Sequence, residues 1–402
     1  MKSDIPKVLH SICGRPMLNY VLDLVEGLKI NKTIAVLGHR HREVRSSLLP
    51  GIKVVIQKRL LGTADAVKVA LTGLGKFKGT VLVLYADNPL LKKDTIKKLL
   101  GHHIKDNLDA TLLTAQLDKP KGYGRVLRDK YSSICGIVEE KDADDFQKDI
   151  KEINTGIICF NKDRLQEALR FRYARPNNRK KEYYLTDIIG IFYKKGYPID
   201  SVRISDIDEA LGVNSRLDLA RANKIMQRRI NEELMENGVA IVDPDSTFIS
   251  YGTKIGGDST ICPFTIIERA VKIGKRCLVG PFAHLREGTQ IEDDVVVGNF
   301  LEIVRSRLAT KTLAKHFGYL GDSRIGHKVN IGAGTVTANF NGKKKNTTII
   351  KDGAFIGSDT VLVAPVKIGK RAITGAGTVV VKNTKVCNGT TVVGVPARVL
   401  KK

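Results

Sequence analysis

Residues 249–303 read ISYGTKIGGDSTICPFTIIERAVKIGKRCLVGPFAHLREGTQIEDDVVVGNFLEI, and every sixth residue is Ile, Leu or Val. The series runs Ile249, Ile255, Ile261, Ile267, Ile273, Val279, Leu285, Ile291, Val297 and Ile303 without exception. If about a third of residues were these three types, ten hits in one of six phases would arise roughly once in ten thousand chains. Six is neither the helical period nor the two-residue alternation of a strand. It fits a parallel β-helix, in which each hexapeptide makes one short strand and a turn, and its aliphatic side chain stacks on the copy one coil later.

The register slips between 303 and 325 and resumes at Ile325 and Ile331. It returns at Ile350, Ile356, Leu362, Ile368, Thr374, Val380, Val386 and Val392. Two stretches interrupt it, AKHFGYLGD (314–322) and ANFNGKKKNTT (338–348). Both are predicted to be loops thrown out from an otherwise regular solenoid, the place where sites gather.

Upstream the pattern changes. Apolar runs TIAVLG (33–38), KVVIQ (53–57) and TVLVLYAD (80–87) alternate with helical stretches TADAVKVALTGL (63–74) and KKDTIKKLLGHH (92–103), which argues an α/β sheet. Residues 215–238, SRLDLARANKIMQRRINEELMENG, carry near-helical apolar spacing and stop at Gly238, so a connecting helix is expected. The predicted order is an α/β domain (1–214), a helix (215–238) and a β-helix (239–402).

Composition bounds the function. The chain has 402 residues, 42% hydrophobic and 27% charged, enough for two full cores. No run approaches the ~20 apolar residues of a membrane span, and no signal-like segment opens it, so a cytoplasmic protein is expected. Six cysteines without a Cys-x-x-Cys pair argue against zinc and against a disulfide framework. The net charge of +25 divides almost evenly, 38 basic against 26 acidic residues over 1–214 and 24 against 12 over 239–402. A nucleic-acid footprint would be clustered, so the excess reads as a basic surface serving small anionic substrates, with no nucleic-acid or membrane partner.

Individual residues suggest chemistry. Asp87 follows an apolar strand, where open α/β sheets bind ligands, and its carboxylate suits Mg²⁺ beside a phosphate; it equally suits a turn cap. LLGTADA (60–66) offers N–H groups at a helix start. Lys7 reads as a phosphate contact or as solvated surface, and KGYGRV (121–126) as a hairpin element or a plain turn. His316 is a candidate base for acyl transfer, and Lys343–Lys345 is either a ligand grip or a solvated loop.

Taken in order, SDIPKVLH, LLGTADA, YADNPL, GYGRV, IVEEKDA, EINTGI, EYYLTDII and GVNSRLDLA resemble the bifunctional N-acetylglucosamine-1-phosphate uridylyltransferase / glucosamine-1-phosphate N-acetyltransferase family over essentially the whole chain. The resemblance implies an α/β nucleotidyltransferase (Rossmann-like) domain followed by a left-handed parallel β-helix of hexapeptide repeats, assembled as a homotrimer. It implies UTP and acetyl-CoA as co-substrates, Mg²⁺ as cofactor, and synthesis of UDP-N-acetylglucosamine. In the front domain it assigns Lys7 to a phosphate, Gln57, Gly62 and Thr63 to the uracil, Gly124, Glu139 and Asn154 to the sugar, and Asp87 with Asn214 to Mg²⁺. In the β-helix it makes His316 the base, oriented by Glu302. Arg286, Tyr319, Asn330, Asn339 and Lys345 are assigned to the sugar phosphate, Ala333 N–H to the oxyanion, and Ser358 and Ala376 to acetyl-CoA.

The sequence also departs from that pattern. Family members open with an apolar strand and a Leu-x-x-Gly-x-Gly-Thr-Arg-Met loop, and this chain starts at what resembles the Met of that loop. The front domain is therefore expected to lack a strand and its phosphate loop, leaving neighbouring strand edges unpaired. Val304 stands where the family has a phosphate-binding Lys, Phe340 replaces a Tyr, Asn341 an Asp, and Gly394 a frequent Arg. Alternative expectations are an acetyltransferase with an inactive front domain, a non-catalytic regulatory subunit, and an enzyme for another sugar or base.

Overall fold

A computed structural model describes residues 1–171 and 182–400; residues 172–181 of the predicted front domain and 401–402 of the predicted β-helix lie outside the described residues. The chain divides into two compact units. One comprises Met1–Ile12 with Pro16–Ala222, and the other Cys13–Arg15 with Asn223–Lys402.

The first unit is an α/β domain on a mixed sheet. Its strands lie in the order Ile199–Arg203, Ala110–Gln116, Glu152–Asn161, Gly124–Arg128 and Ile134–Val138, and Thr80–Val83 pairs antiparallel with the far end of Glu152–Asn161. KGYGRV enters the hairpin Gly124–Arg128/Ile134–Val138. Side-chain alternation divides the core between the two faces. Ala110, Leu112, Ile158 and Phe160 meet Leu165, Ile188, Ile189 and Phe192 on one side. Leu113, Ile153, Ile157 and Cys159 meet Ile96 and Leu99 of helix Lys93–Lys105 on the other. Ile34–Leu37 and Lys53–Ile56 pair in parallel as a separate two-stranded sheet. Ile34–Leu37 and Thr80–Val83 thus each have one strand partner among the described residues, and Thr80–Val83 is half-buried along its length.

The second unit is a parallel β-helix whose strands, two to four residues long, form three sheets visited in turn. The first sheet begins at Ala240–Ile241, the second at Phe248–Ile249 and the third at Lys254–Ile255. Hexad residues stack inward: Ile249 pairs with Ile267 and Ile267 with Leu285, one 18-residue coil apart. Ile249, Ile267, Leu285 and Ile303 are essentially inaccessible. Full burial of such a side chain contributes about 1.5–3 kcal/mol, which is why the period is kept.

The irregular stretches differ from expectation. AKHFGYLGD is not an extruded loop: it holds the end of strand Leu313–Ala314, a corner, and strand Gly318–Gly321 paired with Leu301–Val304. The slip has another cause. The corner between the second and third sheets is one residue short from Ile303 to Leu308 and again from Leu320 to Ile325, so Ile291 pairs with Leu308 and Leu308 with Ile325. At the same corner of the next coil the chain bulges outward, so Ile325 pairs with Ile350. ANFNGKKKNTT therefore does contain a loop.

Candidate active sites

In the first unit Asp87 and Asn214 converge. Lys7 lies in the turn Lys7–Leu9, and its ammonium donates to Asp87 Oδ2 and, at 2.9 Å, to Asn214 Oδ1. Val213 N–H donates to Asp87 C=O at 2.9 Å and fixes the segment carrying Asn214 to the turn that follows strand Thr80–Val83. The Asn214 and Ser215 N–H groups donate to Asp218 Oδ2 (3.2 and 2.8 Å). Two hard oxygens that share one cation fit Mg²⁺, which takes one or two such protein ligands and completes its shell with phosphate and water. Among the described residues no three His, Cys, Asp or Glu side chains gather as a metal cluster. The cysteines are free, and burial pushes the Cys13 and Cys159 thiols up to about 12.

Gln57, Gly62 and Thr63 form a second group. Gln57 donates its carboxamide hydrogens to Gly62 C=O (3.1 Å) and Asp65 Oδ2 (2.8 Å), which turns its oxygen away as an acceptor. Gly62 has φ +113°, and a Cβ there would sit 2.5 Å from Tyr183 C=O, so glycine is required twice over. The Gly-Thr turn is fastened to Tyr183 and Leu185: Tyr183 N–H donates to Leu61 C=O (2.8 Å) and Leu185 N–H to Thr63 Oγ1 (2.9 Å).

Gly124 and Asn154 face one another across paired strands, and a Cβ on Gly124 would lie 3.4 Å from Glu139 Oε2. Glu139 Oε1 accepts from Thr186 Oγ1 at 2.9 Å. Tyr85 joins these groups and escaped the sequence reading. Its ring packs on Gly156, its hydroxyl meets Thr63, and it lies in the field of Glu139 and Asp87. Burial pushes its phenol up to about 12.

In the second unit the expected residues fall into two columns. His316, Ala333, Ser358 and Ala376 are each the second residue after a strand of the first sheet, following Ala314, Ile331, Ile356 and Thr374, which stack in register. At the ~4.8 Å spacing of adjacent strands, His316 and Ala376 are about 14 Å apart on one corner. Ala333 C=O accepts from Asp359 N–H, whereas Ala333 N–H has no partner among the described residues. Gly332, just before it, admits no side chain: a Cβ would lie 2.5 Å from Ser358 N.

The other column lies on the outer face of the second sheet. Glu302 is directly opposite Tyr319, and Arg286 Nη1 donates to Glu302 Oε1 at 2.7 Å. Asn339 Nδ2 reaches Tyr319 Oη (3.4 Å) and Asp322 Oδ2. Lys345, in the bulge, faces Phe340 across an isolated bridge and lies in the field of Asp322. Two placements separate what the resemblance groups together. Asn330 lies on the first sheet, between Leu313 and Phe355, and among the described residues no hydrogen bond joins Glu302 to His316.

Sequence reasoning missed Asp322, and it notes Arg305 only as the neighbour of Val304 that a strand would turn to the opposite face. Val304 is buried, while Arg305 sits past the strand with φ +47° and grips Asp322 with two bonds (2.7 and 2.8 Å). The Arg305 guanidinium, opposed by partial burial and aided by Asn339, holds the Asp322 carboxyl below its ordinary range. Arg305, Asp322 and Asn339 recur at 17-residue steps on the shortened corner, a signal legible once the coil length is known. Asn341, in place of the family Asp, still accepts from Lys343 and Lys344 N–H (3.1 and 2.9 Å), so the bulge keeps its turn.

Comparison with known proteins gives a nucleotidyl transferase family model over residues 2–206 and a bacterial transferase hexapeptide model over 270–305 and 347–382. The unmatched stretch between the two hexapeptide segments holds the second shortened corner and the bulge. A bifunctional protein GlmU from Thermosipho africanus is 44% identical over 95% of this chain and 90% of its own length. Proteins of the same name from Shouchella clausii and Streptococcus mutans are 41% and 40% identical, over 94% and 96% of this chain and 90% and 91% of theirs.

Proposed function

The chain belongs to the family of bifunctional GlmU proteins, and we propose that each of its two units carries one half-reaction of UDP-N-acetylglucosamine synthesis. The carrying observation is that the likeness runs through both units, over 94–96% of the chain, so both transferase modules are its own. The β-helix is a left-handed hexapeptide-repeat acetyltransferase, and the front unit a uridylyltransferase.

For acetyl transfer, His316 removes a proton from the ammonium of glucosamine-1-phosphate. The freed amine attacks the thioester carbon of acetyl-CoA, a C–N bond forms, and the C–S bond breaks with release of the CoA thiol. Ala333 N–H, left unpaired by the corner, meets the oxyanion of the tetrahedral intermediate, a donor geometry that stabilises charge only as it develops. Ser358 and Ala376, farther along the corner, line the acetyl-CoA path. Arg286, Tyr319, Asn339 and Lys345 grip the sugar phosphate, and Asp322 with Arg305 positions Asn339. Completing the set with Asn330 and pairing Glu302 with His316 call for a neighbouring copy, which supports a homotrimer; light scattering tests it.

For uridylyl transfer, a phosphate oxygen of N-acetylglucosamine-1-phosphate attacks the α-phosphorus of UTP in line, and the bond to the β-phosphate breaks to release pyrophosphate. Asp87 and Asn214 would hold Mg²⁺, which neutralises phosphate charge when bound. Lys7, displaced from those two oxygens, turns its ammonium to the phosphates. Gln57 presents its carbonyl to the imide N–H of uracil, Gly62 and Thr63 border the base, and Gly124, Glu139 and Asn154 receive the sugar. Both nucleotide and thioester are cytoplasmic metabolites, which supports that location. Among the described residues no helix is long and apolar enough to cross a membrane.

The test is one incubation of the intact chain with glucosamine-1-phosphate, acetyl-CoA, UTP and Mg²⁺, following CoA thiol and pyrophosphate separately. Release of both is expected; thiol without pyrophosphate overturns the two-reaction reading.

A further inference from the structure

The outward residues of the third sheet form a line of cations. Strand by strand they are Lys254, Lys272, Gln290, Arg307, Arg324, Ile349, Lys367 and Lys385, each directly opposite the next. Six of these eight positions are Lys or Arg. The matching outward positions of the first sheet, from Ala240 to Thr391, and of the second, from Phe248 to Val379, contain none. At ~4.8 Å per strand the line runs about 34 Å along the solenoid.

Like charges directly opposite on a sheet repel, so the line costs stability. Arg307 alone of the six is relieved by an acid, Glu292, at 2.5 Å; the other five have no carboxylate within ion-pair distance among the described residues. A recess of about 730 Å³ lies across the middle of the line, with Arg307, Arg324, His327 and Lys351 in its walls beside the carboxylates of Glu292 and Asp352, and Arg305 at its margin. The six cations of the line are outside the acetyl-transfer and uridylyl-transfer machinery.

We propose that this face binds an extended phosphate polymer lying along the solenoid axis. Two features select that occupant. The cations form a row one side chain wide, matched to a linear chain of anions. No aromatic residue stands in the row, so there is no platform on which nucleic-acid bases could stack. What remains is recognition of phosphate charge, held by counterion release.

The test uses the intact chain and long-chain inorganic polyphosphate as the probe, with binding measured between 50 and 200 mM salt. With six contacts, a log–log salt slope near roughly −4 is expected. The triple variant Lys272→Glu/Arg324→Glu/Lys385→Glu should bind at least tenfold more weakly, with acetyl transfer unchanged as a report on folding. A control with the same charge change on the neighbouring corner, Lys275→Glu/Lys311→Glu/Lys328→Glu, should bind within about twofold of the parent. Absence of binding at 50 mM salt, or equal loss in both variants, overturns the proposal. Tighter retention by single-stranded DNA of equal charge, or by anionic vesicles, overturns the assignment of its occupant.

Discussion

The two units build their sites by opposite means. In the front unit, Lys7, Asp87 and Asn214 come from segments far apart in sequence and are joined by hydrogen bonds, and Gly124 meets Asn154 across paired strands. In the β-helix, His316, Ala333, Ser358 and Ala376 fall in one line because they occupy one position of successive coils. A site of the first kind depends on many long-range contacts at once. A site of the second depends on each coil bringing its strands back into register, which Val297, Ala314 and Ile331 keep even where a corner is one residue short.

That contrast can be broken by variants that should act in one unit alone. His316→Ala carries the largest expected effect: CoA release should fall roughly 10²- to 10⁴-fold, the usual worth of a positioned base, while pyrophosphate release is unchanged. Asp87→Asn should do the reverse, lowering uridylyl transfer by roughly 10²-fold, the low end for loss of one electrostatic partner, and sparing acetyl transfer. Asp322→Asn sharpens the comparison inside the β-helix. It releases Asn339 and Arg305, so KM for glucosamine-1-phosphate should rise about tenfold with kcat nearly kept, as expected for lost binding. Its pH signature has a definite sign. Arg305 depresses the folded-state pKa, so the Asp322 contribution to stability is complete above the ordinary carboxylate value and disappears as pH falls through the depressed one. Parent and variant should therefore differ in Tm near neutrality and converge in acid. The smallest effect is expected of Lys7→Met: by removing the resident ammonium it should raise Mn²⁺ affinity about threefold by titration calorimetry, within the range of screened partly exposed charge pairs.

Much of the β-helix was legible because its period writes itself into the chain. Ile249 through Ile303 announced the coils, and the inward stack is what keeps them aliphatic. The shortened corners were not legible, since deleting one residue after Ile303 looks like decay of the pattern rather than a change of coil length. For that reason AKHFGYLGD was expected to be a loop and proved to be a corner and a strand. The cation line escaped for a related reason. Its members are 17, 18 or 25 residues apart, so the charge looks evenly spread in sequence and is a stripe in space. In the front unit the strands and helices were read within a few residues, and Asp87 with Asn214 was placed by resemblance. Tyr85 was not, because burial against Gly156 and Thr63 is a tertiary fact.

At the edge between the second and third sheets two coils are short and the next bulges, while the stack continues unbroken on either side. Growth and loss of chain are thereby insulated from the rest of the fold. Such an edge is a natural docking point for transplanted segments: a foreign loop spliced between Asn339 and Asn346 would inherit a ready anchor at both ends, the Asn346 N–H to Asn339 C=O bond at 2.7 Å. Substrate preference could then be rewritten by exchanging a few residues there, with the coils left as they are.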